Sequence, residues 1–298
     1  MIFQDYEFKF FTLPDAIASG LYYVIVGYYV LLFAYFLIIR YRTSKKLYWL
    51  FFSILFLVLA IGRIFFIIYD FYLPEFKDIL SDTEIVSLFM IFYRWATFFT
   101  WMATTSLMGI LGILLFPPDT MSTRKKVQQD KSNHNTSKFE NFFTFIKKHE
   151  RYLGYLVRIF LILIPIIIGI LALTLPNNVF MDPDLKNDYP GYSINLITIN
   201  IFGWTYPIGR FILNFVLQPL FIAIVPFIFL YLAWRTFGVL RKSYALNALG
   251  FFFYYIGRIT QGLFDVLGWT HVVSYVPQLI ILLSLVIIVI ANNYEQLR

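Results

Sequence analysis

Five arginines stand inside stretches otherwise built from apolar residues: Arg63, Arg94, Arg158, Arg210 and Arg258. An ionised side chain at the centre of a bilayer costs about 2.5–3.5 kcal/mol even on the lenient insertion scale, so each needs water, a counter-charge or a ligand. Arg158 lies near the inner end of its stretch, where its long stem lets the charge snorkel to the interface. The other four fall in outer halves. Arg63 is seven residues before Asp70 and Arg94 nine after Ile85. At the helical rise both then lie about 10–14 Å below the outer helix ends. A guanidinium grips carboxylate or phosphate through a planar fork. Arg63, Arg94, Arg210 and Arg258, all in outer halves, are therefore the chemistry of an anion site in a water-filled outer cavity. Asn214 and Gln218, Gln261, Ser274 and Gln278 supply neutral polar partners at matching places. In the competing reading Asp70, Asp265 and Glu84 neutralise the arginines and fix helix register. Arg63 and Asp70 are about 10 Å apart along one helix, so any such pairing runs between helices.

The elements that must position these residues follow from composition. Of 298 residues, 60% are hydrophobic and 14% charged, against about 25% charged in soluble domains. Stretches 17–39, 47–69, 85–116, 153–175, 208–234, 244–267 and 272–291 reach the roughly 20 apolar residues that a membrane helix needs. The expectation is an all-α polytopic membrane protein, one domain of seven transmembrane helices, in a cell membrane. Lys and Arg set its orientation. One set of segments holds Arg40, Arg42, Lys45 and Lys46, the run from Arg124 to Arg151, and Arg235, Arg241 and Lys242; the other holds only Lys9, Lys77 and Lys186 among acids such as Asp78, Asp182, Asp184 and Asp188. The N-terminus is thus expected outside and the C-terminus inside. The net charge of +7 points to anionic inner-leaflet lipids and not to nucleic acid. Residues 117–150 are expected as an inner loop, partly disordered, with a short surface helix around Phe139, Phe142, Phe143 and Ile146. Met1 to Gly20 carries Asp5, Glu7 and Asp15 and no basic start, so the first span is expected to insert uncleaved. Pro165, Pro219, Pro226 and Pro277 are expected to interrupt backbone hydrogen bonds and kink the fourth, fifth and seventh helices.

Shifting the chain by 195 residues superposes Arg40 on Arg235, Gly62-Arg63-Ile64 on Gly257-Arg258-Ile259, and Asp70 on Asp265. The first two helices then repeat the fifth and sixth, in the same direction, with the fourth helix separating two triplets. This three-plus-one-plus-three plan resembles, in architecture alone, the sugar-transporting SWEET family and the rhodopsin-like seven-helix proteins, and in topology the membrane sensor regions that precede histidine kinases. The first resemblance implies transport between parallel repeats; the others imply a receptor or sensor. Two departures matter. Nothing between Val272 and Ala291 is a lysine, so no retinal Schiff base forms, and Pro277-Gln278 stands only in the seventh helix, where the PQ-loop and SWEET families place such a pair early in each repeat.

Other chemistry has little to stand on. The absence of cysteine excludes disulfides and thiolate sites. His134 and His149 belong to the inner loop and His271 stands alone, so no zinc site assembles. Asp70 and Asp265 fall at helix ends, unlike a mid-membrane aspartyl pair. No cofactor, metal or catalytic activity is expected. The expected function is a receptor or sensor that binds a small anionic ligand from outside and, the chain ending at Arg298, signals through a separate cytoplasmic partner. Alternatives are a two-triplet transporter and a structural subunit packed through Gly109 and Gly112.

Overall fold

The computed structural model describes residues 12–115, 138–201, 204–266 and 275–293, with backbone alone at 138–153, 201, 204 and 261–266. Seven long helices account for most of it. The first, α1, runs Leu13–Ser44 and starts at a capping box, where Thr12 donates its N–H to Asp15 at 2.9 Å. Asp15 thus satisfies one of the donors a helix start leaves orphaned. Lys45, in the left-handed region at φ 54°, ends it. Helix α2 is Leu47–Phe76, helical to Ile67 and then widened into a π turn over Ile68–Tyr72. Helix α3, Asp82–Leu115, begins where Ser81 donates its N–H and hydroxyl to Glu84 at 3.1 and 2.7 Å. Helices α4 (Lys138–Thr174), α5 (Ile208–Arg235), α6 (Gly238–Val266) and α7 (Val276–Asn293) follow.

Helix α2 packs between α1 and α3, and α6 between α5 and α7; α1 meets α7 and α3 meets α5, closing a ring, with α4 lying on α3. One end of the ring is basic, with Arg40, Lys45, Arg235 and Lys242 at helix termini. The other is covered by the connection from α4 to α5. This cap contains the short helices Asn177–Phe180 and Pro183–Asp188 and an antiparallel hairpin of β1 (Thr198–Ile201) and β2 (Trp204–Pro207). The interior is apolar and rich in rings, with Phe36, Phe52, Phe56 and Phe229 fully buried. The outside is apolar too: along α4, Leu156, Phe160, Leu163, Ile167, Ile170 and Leu171 are exposed. Such a surface is stable only against lipid. Six helices, all but α6, are long and apolar enough to cross a bilayer, as an all-α multi-pass membrane protein requires. Helix α6 falls short because Arg241, Lys242, Asn247 and Arg258 dilute it.

Five expectations change. The hairpin is an exception to an all-α chain. Residues 138–150 are not a loop with a separate surface helix but the first turns of α4, which runs unbroken into the apolar stretch. Pro277 sits at the second position of α7, where a missing N–H costs no hydrogen bond, so it starts that helix and does not kink it. Pro219 follows a π segment, Phe211–Leu217, inside α5; the widened turn relieves the collision between the proline ring and the turn before it. Gly109 and Gly112 do not form a strip facing another protein. A Cβ at Gly109 would strike the Phe51 ring at 2.4 Å, and one at Gly112 would meet the Arg158 stem at 3.3 Å. Both glycines are filled from within the chain.

Candidate functional site

The four arginines do not converge. They divide into two pairs with different surroundings, because α3 and the start of α5 lie under the cap whereas α2 and α6 face each other across the ring.

Arg94 and Arg210 bind the cap. Arg94 donates to the carbonyl oxygen of Leu175 and to Asn177 Oδ1, the latter at 2.6 Å, and Asn177 in turn donates to the Tyr192 hydroxyl at 2.9 Å. Arg210 forms an ion pair with Asp182, donates through Nε to the Tyr93 hydroxyl, and lies 4.1 Å from the Tyr93 ring centroid. Asn214 also donates to Tyr93, at 2.8 Å. Close approach is built in: a Cβ on Gly209 would stand 2.8 Å from the Val179 carbonyl oxygen. Beneath these bonds Phe89, Tyr93, Phe180, Met181 and Leu185 form a second buried cluster. On the cap, desolvation and then the neighbouring Asp182 and Asp188 raise the Asp184 carboxyl above its ordinary value, although Arg210 pulls the other way. Tyr189 is pushed up to about 12, by burial first and then by Asp188 and Asp82. Asp82 accepts the Gly191 N–H at 2.7 Å, a further tie from α3 to the cap.

Arg63 and Arg258 instead line one pocket inside the ring, together with Tyr29, Val58, Leu59, Gly62, Phe66, Thr100 and Tyr254. Arg63 is 5% exposed, and its guanidinium lies 4.5 Å from the Tyr22 ring centroid. Neither arginine has a hydrogen-bond or ion-pair partner among the described residues. Tyr22 is held by Gln278, which donates to its hydroxyl at 2.8 Å while leaving its own buried Oε1 without a partner among the described residues. Tyr254 and both arginines lie within electrostatic range of Tyr29. Asp70 reaches the same neighbourhood electrostatically through Tyr22. The cavity among these side chains is small, about 10 Å³, with room for about one water. Two guanidinium groups and two phenols line this space, a chemistry that suits an anion.

Gly62 and Gly257 explain how these arginines reach the interior. A Cβ on Gly62 would lie 3.1 Å from Phe99 Cβ on α3, and one on Gly257 would lie 2.9 Å from Ile281 and 3.1 Å from the Pro277 oxygen on α7. Each glycine seats its helix against the next, and the following residue is the arginine that faces the pocket.

Of the other expected residues, Asn214 belongs to the Tyr93 and Arg210 cluster and Gln278 to the Tyr22 cluster, so neither is shared by a single site. Glu84 caps α3 through Ser81 and neutralises no arginine among the described residues; there Asp182, expected only as an outer-loop charge, pairs with Arg210. The side chains of Gln261 and Asp265 lie outside the described residues, as does Ser274. Tyr22, Tyr29, Tyr93 and Tyr254 carry no signal of their own in the sequence, because 22 tyrosines single out none; only Tyr254, four residues before Arg258, shares a helix face with an arginine of the pocket. No metal-ligating group of three or more appears among the described residues. Comparison with protein-family models, with curated proteins and with solved structures finds no match for the chain.

Proposed function

We propose that the chain is a seven-helix membrane receptor or sensor whose ligand is an anion held by Arg63 and Arg258. The observation that carries this is the pair itself: two arginines in one interior pocket, one of them 5% exposed, with no acidic partner among the described residues. In a helix bundle an interior charge is ordinarily paired; here the pairing is left to something that binds.

Helix α6 completes the seven, since it packs against α5 and α7 as α2 packs against α1 and α3. That correspondence, and the matching glycine contacts, favour a parallel repeat of α1–α3 in α5–α7. The cap faces outward in this reading, and the basic end faces the cytoplasm and its anionic lipids. There Arg40 donates to the Asn292 carbonyl and to Asn293 Oδ1 at 2.8 and 2.7 Å, which links α1 to α7 where a separate cytoplasmic partner would read a helix shift. The transporter reading requires polar groups down to that end. Below the arginines the lining turns to Leu55, Leu107, Leu285 and Ile288, which favours a receptor.

The test is ligand-dependent thermal stability of the purified protein against small anions, for the parent, Arg63→Gln, Arg258→Gln and Arg210→Gln. Binding to the folded state raises its apparent stability by mass action. The expected result is an anion-dependent rise in the parent and in Arg210→Gln, and none in the other two. A rise of equal size in all four would sink the proposal.

A further inference from the structure

Size and charge together limit what the arginine pocket can hold. Its free space is about 10 Å³, at the lower limit for a single water. A carboxylate or phosphate is a cluster of several heavy atoms and does not fit without parting the helices. A water fits by size but leaves both charges uncancelled. Guanidinium groups only donate hydrogen bonds, and the lining side chains include no carboxylate: besides Arg63 and Arg258, the polar ones are Tyr29, Tyr254 and Thr100. The Thr100 hydroxyl already donates to the Ala96 carbonyl oxygen at 2.8 Å. A space of one water's size, lined by two cations and two phenols, calls for a compact negative charge.

From this match, and resting on the anion-receptor reading above, we infer that the ligand is a single dehydrated halide ion of the size of chloride or bromide, bridging Arg63 on α2 and Arg258 on α6. The Tyr29 hydroxyl on α1 and the Tyr254 hydroxyl on α6 are its further donors. A spherical ion accepts N–H and O–H groups from any direction, so it needs neither the planar fork nor the room that an oxyanion demands. Stripping its water is costly in an apolar surround such as Leu59 and Phe66, and the cost is greatest for fluoride, whose charge is most concentrated. One negative charge leaves one of the two positive charges in excess. The Tyr22 ring, 4.5 Å from the Arg63 guanidinium, and Asp70, in electrostatic range of Tyr22, offset part of it. The ion thereby joins helices of both halves of the ring, so its binding favours the arrangement of α1, α2 and α6 that brings the donors together.

The experiment follows the thermal stability of the full chain, purified in gluconate buffer, as gluconate is replaced at constant ionic strength by fluoride, chloride, bromide, acetate or phosphate. The expected result is a saturable rise of about 5 °C for chloride and bromide, with fluoride, acetate and phosphate roughly tenfold or more weaker in apparent affinity. Arg63→Gln and Arg258→Gln remove the halide effect, and Arg210→Gln keeps it. Tyr29→Phe, which deletes one donor, weakens chloride about tenfold. Leu59→Ala, which enlarges the space, moves the preference from chloride towards acetate. If acetate or phosphate stabilises the parent as well as chloride does, and Arg63→Gln abolishes this, the anion reading stands and the halide inference is overturned. If no anion stabilises the parent, or halides stabilise Arg63→Gln as much as the parent, both readings fall.

Discussion

Replacing Arg210 by Gln tests the division of the arginines into cap-holding and pocket-lining pairs. Its ion pair with Asp182 is neither surface nor core: the two side chains are 18% and 32% exposed. Exposed pairs contribute about 0.2–1 kcal/mol, and removing one partner of a fully buried pair costs about 3–5 kcal/mol. A loss of about 2 kcal/mol is therefore expected for the charge pair, with roughly 1 kcal/mol more for the Tyr93 ring and hydroxyl. Asp182→Asn is a milder probe, because the amide oxygen still accepts the Asp184 N–H that Asp182 caps at 3.1 Å. A double-mutant cycle of the two should show a coupling of about 1–2 kcal/mol. Hydrogen exchange localises the effect. The Gly191 and Ile197 amides, bonded at 2.7 Å to Asp82 and to the Asn178 carbonyl oxygen, should lose protection by about thirtyfold for 2 kcal/mol, while amides in the middle of α7 change little. A coupling near zero, or protection lost evenly through the bundle, would refute the idea that this pair holds the cap.

Two further outcomes follow from the cap and the orientation. Because the Asp184 carboxyl is raised above its ordinary value in the folded protein, the folded state binds its proton more tightly than the unfolded chain, and this group destabilises the cap as pH rises through its titration. Asp184→Asn should accordingly raise the melting temperature at neutral pH and lose that advantage in acid; an unchanged or widening advantage on acidification would contradict the sign. The chain has no cysteine, so single substitutions at exposed Asn187 and Thr43 report sidedness directly. A membrane-impermeant maleimide should label Asn187→Cys on intact cells and Thr43→Cys only after permeabilisation; the reverse pattern would invert the assigned orientation.

How far the sequence revealed this arrangement depends on the range of each interaction. Apolar length is a local property, so the helices were legible, and six of the seven expected spans meet the requirement for crossing a bilayer. The start of α4 was not, since 138–150 mixes charge with aromatics and only the structure shows the helix passing through it. Capping chemistry is equally local: Ser81 three residues before Glu84 signals a helix start, whereas charge alone makes Glu84 an ion-pair candidate. The depths of Arg63 and Arg94 were estimated from rise per residue alone, which fixes height and not azimuth. Height made all four arginines neighbours; azimuth, set by Gly62, Gly257 and the cap contact at Gly209, separated them. Asp182 was invisible as a partner because it reaches Arg210 across 28 residues of loop, and no periodicity runs through a loop.

The contrast between the two pairs is what gives the pocket its meaning. A mid-bilayer arginine costs about 2.5–3.5 kcal/mol, and total stabilities are about 5–15 kcal/mol, so two uncompensated ones would consume a large part of what holds a bundle together. Around Arg210 the fold supplies an acid, a phenol and a ring. Around Arg63 it supplies the Tyr22 ring and, in the pocket shared with Arg258, the Tyr29 and Tyr254 phenols. Gly62 and Gly257, each one residue before its arginine, seat α2 against α3 and α6 against α7, so matching helix contacts set both arginines in the pocket. A fold able to neutralise Arg210 across a loop has the means to neutralise Arg63 as well. In the receptor reading proposed above, the burden of a charge surrounded instead by Tyr29, Leu59, Phe66 and Thr100 is kept for a ligand. Relieving it by Arg63→Gln should leave the unliganded protein as stable as the parent or more so, in opposition to Arg210→Gln.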